Sequence, residues 1–263
     1  MQDLTLSLIQ TDIIPDNPEA NLDRYEPLLE QARQAGQGRG SDLVILPEVF
    51  TTGFSATARD HAEREGGRAY EWLAHWAKSL DAVVTGSLVV AEGDGHVNRL
   101  VWMSPDGHYQ QYDKRHLFRM AGEHKRYKAG QKRLLVELKG WRILPMVCYD
   151  LRFPVWSRNR NDYDLALYVA NWPGARSLHW RRLLQARAIE NLSFVAGVNR
   201  IGLDEKDQHY TGDSAIFGPA GEAILDAEDR AGCFSGVLSA ERLTHYRESF
   251  PAYLDADEFD LKV

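Results

Sequence analysis

Three segments end an expected strand on a side chain that can do chemistry: LVILPE at Glu48, QYDK at Lys114, and RILPMVC at Cys148. Each alone has a plain structural reading. An unpaired cysteine is usually a small buried hydrophobe, Glu48 could sit in a turn or a structural ion pair, and Lys114 could be solvated. Together they form a chemically coherent set. A free thiol has a pKa of about 8.5 and is mostly protonated at neutral pH. A neighbouring carboxylate can take its proton, and an ammonium can steady the charge that develops. A serine-type triad would need a histidine base, and the nine histidines show no such local signature.

Strand ends suit such groups, because a rigid element then holds the side chain at the edge of a cleft. The surrounding pattern supplies the elements. Leu4, Leu6 and Leu8 alternate with Thr5, Ser7 and Ile9 as a strand ending near Gln10, and 42–46 and 82–90 read as further strands. Asn17-Pro18 starts a helix with Leu22, Tyr25, Leu29 and Ala32 on one face, and Pro27 inside it predicts a kink or a split. Further helices are expected over 67–80, 177–191 and 240–246. Hairpins are expected around Ser104-Pro-Asp-Gly107, Gly140 and Gly218-Pro-Ala-Gly221, with strands over 165–170 and 194–198. Many strands with long helices between them predict a layered α/β or α+β protein, in which helices cover one face of each of two packed sheets.

Bulk properties narrow the function classes. The 263 residues are 44% hydrophobic and carry no linker-like tract or fixed repeat, so one domain spanning 1–263 is expected. A net charge of −7 argues against nucleic-acid or anionic-membrane partners. The basic stretch from Lys114 to Lys132 is either a solvated loop or an attractor of a small anionic substrate. The N-terminus does not read as a signal peptide, and no run approaches the roughly 18 apolar residues of a membrane helix. Two cysteines make no disulfide framework, and a reducing cytoplasm fits. GQGRG from Gly36 lies at a helix end and is a poor phosphate loop. His61, Glu65 and His75 lack metal-ligand spacing.

The motifs LPEVFTTGF, YDKRHLF and VCYDLRFP, in this order, resemble the Glu, Lys and Cys motifs of the nitrilase superfamily of carbon–nitrogen hydrolases. The likeness continues through GEHKRYKAG, DYDLALYVANWP, HWRRLLQARAIEN, FVAGVNR and GDSAIFGPAGE, nearly the whole chain. CYDLRFPVWSRN and YVANWP look most like its bacterial ω-amidase branch. The resemblance implies a four-layer α-β-β-α sandwich, assembled as a homodimer or larger oligomer. It implies Cys148 as nucleophile, Glu48 as general base, Lys114 and the Tyr149 main-chain N–H as oxyanion donors, and Glu123 as the residue orienting Lys114. No metal or organic cofactor is implied.

The expected activity is hydrolysis of the terminal amide of a short 2-oxo dicarboxylic acid, such as 2-oxoglutaramate, through a thioester. A deaminated-glutathione amidase, another small-amide hydrolase and a non-catalytic binding module are the alternatives. Arg152, and the basic loop with Arg115, His116, Arg119 and Lys125, are candidates for holding a substrate carboxylate. Arg152 could instead pair with Asp150 or Glu190. Trp172 could wall the pocket or pack in the core.

Overall fold

The protein is described by a computed structural model covering residues 1–261. The expected domain of residues 1–263 therefore runs two residues, Lys262 and Val263, past the described chain.

In chain order the strands are β1 (Leu4–Gln10), β2 (Leu43–Ile45), β3 (Val83–Glu92), β4 (Gly95–Met103), β5 (Tyr109–Asp113), β6 (Val136–Leu138) and β7 (Trp141–Val147). Then come β8 (Leu165–Ala170), β9 (Phe194–Asn199), β10 (Ile201–Leu203), β11 (His209–Thr211), β12 (Ala215–Phe217), β13 (Ala223–Asp226) and β14 (Gly232–Leu238). The long helices are α1 (Pro18–Ala32), α2 (Arg68–Leu80), α3 (Ser177–Asn191) and α4 (Ala240–Ser249).

Two six-stranded sheets result, ordered β14-β1-β2-β3-β4-β5 and β13-β12-β9-β8-β7-β6. Each has three parallel strands at its centre, β1-β2-β3 and β7-β8-β9, flanked by antiparallel ones. The side-chain period of two gives the central strands of the first sheet two buried faces. Leu8 and Ile45 point into the core shared with Met146, Leu167 and Ala196 of the second sheet. Ile9, Val44 and Val84 point the other way, against Leu22, Tyr25 and Leu29 of α1 and Leu73 and Trp76 of α2. On the second sheet α3 lies close over β9 at Gly197, where a Cβ would come within 2.4 Å of Leu184 Cδ1. Beside it α4 docks through buried Leu243, with Arg247 Nε donating to the Leu192 carbonyl at 2.8 Å. The layers are helix, sheet, sheet, helix, as expected.

The structure departs from the sequence reading at several places. Helix α1 runs unbroken through Pro27. Pro27 is exposed, so the Asp23 carbonyl it leaves without an amide partner is free to face water. The β3–β4 strands are longer than expected and meet in a tight turn at Gly93-Asp94. The short hairpin β10–β11 and the edge strand β14 were not foreseen. Among the described residues no helix is long and apolar enough to cross a membrane.

Candidate active site

The three strand ends converge. Glu48 follows β2 and is fully buried; Lys114 follows β5 and is 1% exposed; Cys148 follows β7 and opens a one-turn 3-10 helix, Cys148–Arg152. Cys148 has φ of +46° and Val49, next to Glu48, has φ of +40°. Such left-handed backbone costs a non-glycine residue about 1–3 kcal/mol and persists only where the surroundings enforce it. Here they do: the Val49 N–H donates to Ser87 Oγ at 2.8 Å, and the Val147 N–H donates to Asp150 Oδ2 at 3.1 Å. The Tyr149 N–H lies in the first turn of the short helix, where no intrahelical acceptor exists.

The charges beneath the thiol are paired with one another. Lys114 Nζ donates to Glu48 Oε1 at 2.8 Å and to both Glu123 oxygens at 3.0 Å. Asn98 Nδ2 donates to Glu48 Oε1 at 2.8 Å, and the Asn171 N–H donates to Glu48 Oε2 at 2.8 Å. Glu123 also accepts the Phe118 N–H at 2.5 Å, which fixes it behind Lys114. Burial works against the Lys114 charge, but Glu123 and then Glu48 outweigh it and hold the ammonium well above its usual pKa. Burial raises the Glu123 carboxyl, against the pull of Lys114 and with the like charge of Glu48 adding to it. Burial also pushes the Cys148 thiol well up, Glu48 pushes further, and Lys114 offsets only part of this. The resting sulfur is therefore a thiol beside a carboxylate. Such a thiol can become a nucleophile by giving its proton to that carboxylate as it attacks.

These groups form the floor of a cavity of about 330 Å³. Glu48, Lys114, Cys148, Tyr149, Arg152 and Trp172 all line it, and Glu123 stands behind Lys114. Trp172 serves as wall and core together: it is 3% exposed, and its indole N–H donates to the Arg176 carbonyl at 2.9 Å. Arg152 pairs with neither Asp150 nor Glu190. Its guanidinium meets His179 Nδ1 at 3.0 Å and lies 4.8 Å over the Trp172 ring, while Glu190 is taken by Arg187 at 2.9 Å.

His116 does not belong to the cavity. Its ring is stacked on Phe153 at 3.8 Å and its Nδ1 lies 2.8 Å from Asp150 Oδ1, away from the residues that line the cavity. Arg115, Arg119 and Lys125 do not line the cavity either, and Arg115 donates to the Gly130 carbonyl at 3.1 Å. The cations on the wall are instead Arg126 and Arg176, with Lys206 from the β10–β11 hairpin, which also brings in Tyr210. Arg126 donates to the carbonyls of Ser55 (3.2 Å) and Ala121 (3.1 Å), and Arg176 lies 5.5 Å over Phe118. Among the described residues, Arg126, Arg152 and Arg176 make no ion pair with a carboxylate. Arg126 stands within the GEHKRYKAG motif, but nothing in its spacing says that it turns inward. Among the described residues no cluster of three or more His, Cys, Asp or Glu side chains is placed to hold a metal ion.

The chain has relatives among known proteins. The sequence model of the carbon–nitrogen hydrolase family matches residues 5–247. The chain is 51% identical to the omega-amidase YafV of Yersinia enterocolitica, over 98% of this chain and 99% of the relative. It is 32% identical to the 2-oxoglutaramate amidase of Bacillus subtilis, over 95% and 96% of the two chains. A carbon–nitrogen hydrolase superfamily protein of Xanthomonas campestris, solved with an arsenic adduct in its active site, superposes with a TM-score of 0.95 at 50% identity, covering 100% of both chains.

Proposed function

The chain belongs to the carbon–nitrogen hydrolase family, and from that premise we propose that it is an ω-amidase acting on a short 2-oxo dicarboxylic acid monoamide such as 2-oxoglutaramate. The observation that carries the reading is the Cys148 thiol, held neutral against the Glu48 carboxylate with Lys114 alongside, at the floor of a cavity lined by arginines that have no carboxylate partner among the described residues. The names of the Yersinia and Bacillus relatives support the substrate class.

In this mechanism Cys148 Sγ attacks the amide carbon while its proton passes to Glu48. The Lys114 ammonium and the Tyr149 N–H stabilise the tetrahedral oxyanion, a contribution of about 3 kcal/mol per donor. Glu48 returns the proton to the leaving nitrogen, ammonia departs, and a thioester remains on Cys148. Water then attacks the thioester, giving its proton to Glu48, and the acid is released with the thiol restored. Glu123 keeps the ammonium in place throughout. Arg152, with Arg126 and Arg176, holds the distant carboxylate, and Trp172 supplies the flat wall beside it.

The expected unit is one domain over 1–263, assembled as a homodimer or larger oligomer and working in the cytoplasm. The family likeness supports the assembly, and a native-mass measurement checks it. For the substrate, ammonia release from 2-oxoglutaramate is compared with release from its carboxylate methyl ester. Leaving a desolvated guanidinium without its partner costs about 1–3 kcal/mol, so the acid is expected to be favoured roughly tenfold to a hundredfold in kcat/KM. Equal turnover of the ester would remove the carboxylate clamp and leave a general small-amide hydrolase.

A further inference from the structure

Asp150 sits fully buried in the turn that Cys148 opens, and it accepts more hydrogen bonds than that turn requires. Its Oδ2 accepts the Val147 N–H at 3.1 Å and the Tyr112 hydroxyl at 2.7 Å. Its Oδ1 accepts the His116 N–H at 2.9 Å and lies 2.8 Å from His116 Nδ1. Only the bond from Val147 is made within the Cys148 segment. The other three cross to the chain around Lys114, where Tyr112 stands two residues before the lysine and His116 two residues after it. The far side of this junction is fixed as well: Trp156 Nε1 donates to the Tyr112 hydroxyl at 3.0 Å, and Phe153 stacks on His116 with an interplanar angle of 8°.

Cys148 extends the second sheet and Lys114 the first. Any slide of one sheet on the other would change the separation of the two groups unless something ties the strand ends together. We propose that Asp150 is that tie, a positioning residue whose carboxylate fixes Cys148 against Lys114. The inference rests on the reading of Cys148 and Lys114 as partners, but not on which amide they cleave. An amide in place of the carboxylate cannot satisfy all four donors. Whichever oxygen becomes NH2, it faces a backbone N–H, that of Val147 or that of His116, and one of the two anchors is lost.

The test is the rate at which iodoacetamide alkylates Cys148, measured beside steady-state turnover of 2-oxoglutaramate. Asp150→Asn is expected to lower kcat roughly tenfold to a hundredfold, the scale of an ångström of misplacement, with KM within about twofold. Alkylation should slow as well. In a Lys114→Ala background, adding Asp150→Asn should slow alkylation no further, because the partner being positioned is already gone. Losses that multiply in the double variant, or a loss confined to KM, would overturn the proposal. Should Asp150→Asn fail to fold, Tyr112→Phe removes one cross-sheet bond and keeps the ring. Alkylation slowed about threefold supports the tie, and an unchanged rate overturns it. Alkylation involves no amide, so failure of the ω-amidase reading would show separately, in the comparison of acid and ester.

Discussion

The floor and the wall of the cavity treat charge in opposite ways. On the floor, Glu48, Lys114 and Glu123 are buried, and the Lys114 ammonium lies within 3.0 Å of both carboxylates. On the wall, Arg126, Arg152 and Arg176 touch carbonyls, an imidazole and aromatic faces, and among the described residues they pair with no carboxylate. Buried charges are tolerable when they satisfy one another, so the floor is complete before a ligand arrives. The three arginines of the wall keep their capacity open for an anion from outside, although Asp204 and Glu205 also line the cavity. Chemistry and selection are thus divided between two sets of residues, and the division can be broken residue by residue.

The largest effect is expected at the sulfur. Cys148→Ala should fold and lose turnover by several orders of magnitude, since Cys148 is the one thiol among the described residues that line the cavity. Substantial ammonia release by this variant would end the distinction. Lys114→Ala comes next. It should lower kcat by roughly a hundredfold to a thousandfold, and it should also lower Tm, because two buried carboxylates then face each other without their cation.

Glu48→Gln sharpens the floor in a different way. Turnover should be lost, yet the thiol should become more acidic. Burial, the first cause of the raised thiol pKa, remains, but the Glu48 charge, the second, is gone. The midpoint of the thiolate absorbance titration should therefore fall, while staying above the ordinary thiol range. A midpoint that rises would contradict the charge arrangement described for the floor. The smaller effects belong to the wall. Arg126→Gln and Arg176→Gln should raise KM for the acid about tenfold, leave kcat within about twofold, and spare the methyl ester. If either lowers kcat as the floor variants do, floor and wall are one unit.

Glu48, Lys114 and Cys148 were legible in the sequence because each follows an expected strand and the three side chains make chemical sense together, whereas Glu123 was indicated only by the family resemblance. The wall was not legible. His116 is a polar residue two positions from Lys114, so proximity along the chain suggested the cavity, but Asp150 and Phe153 hold its ring elsewhere. Arg126 and Arg176 lie in connections whose direction depends on tertiary packing, and no period marks them. The same limit applies to β14. GCFSGVL lacks clean alternation, and its Gly236 is suited to close packing, since a Cβ there would come within 2.9 Å of Ile216 Cδ1. Pairing with β1 makes it a strand, and its own propensity does not.

That pairing also sets a timetable for the growing chain. Ser7 of β1 meets Ser235 of β14 through their hydroxyls at 2.7 Å, across a separation of 228 residues. At roughly 5–20 residues per second of synthesis, the outer edge of β1 waits roughly 11–46 s for its partner to leave the ribosome. Throughout that interval the nascent first sheet presents an unpaired strand edge, the kind of surface on which neighbouring chains on a polysome can pair by mistake. The edge of β1 is thus protected only by a segment made 228 residues later.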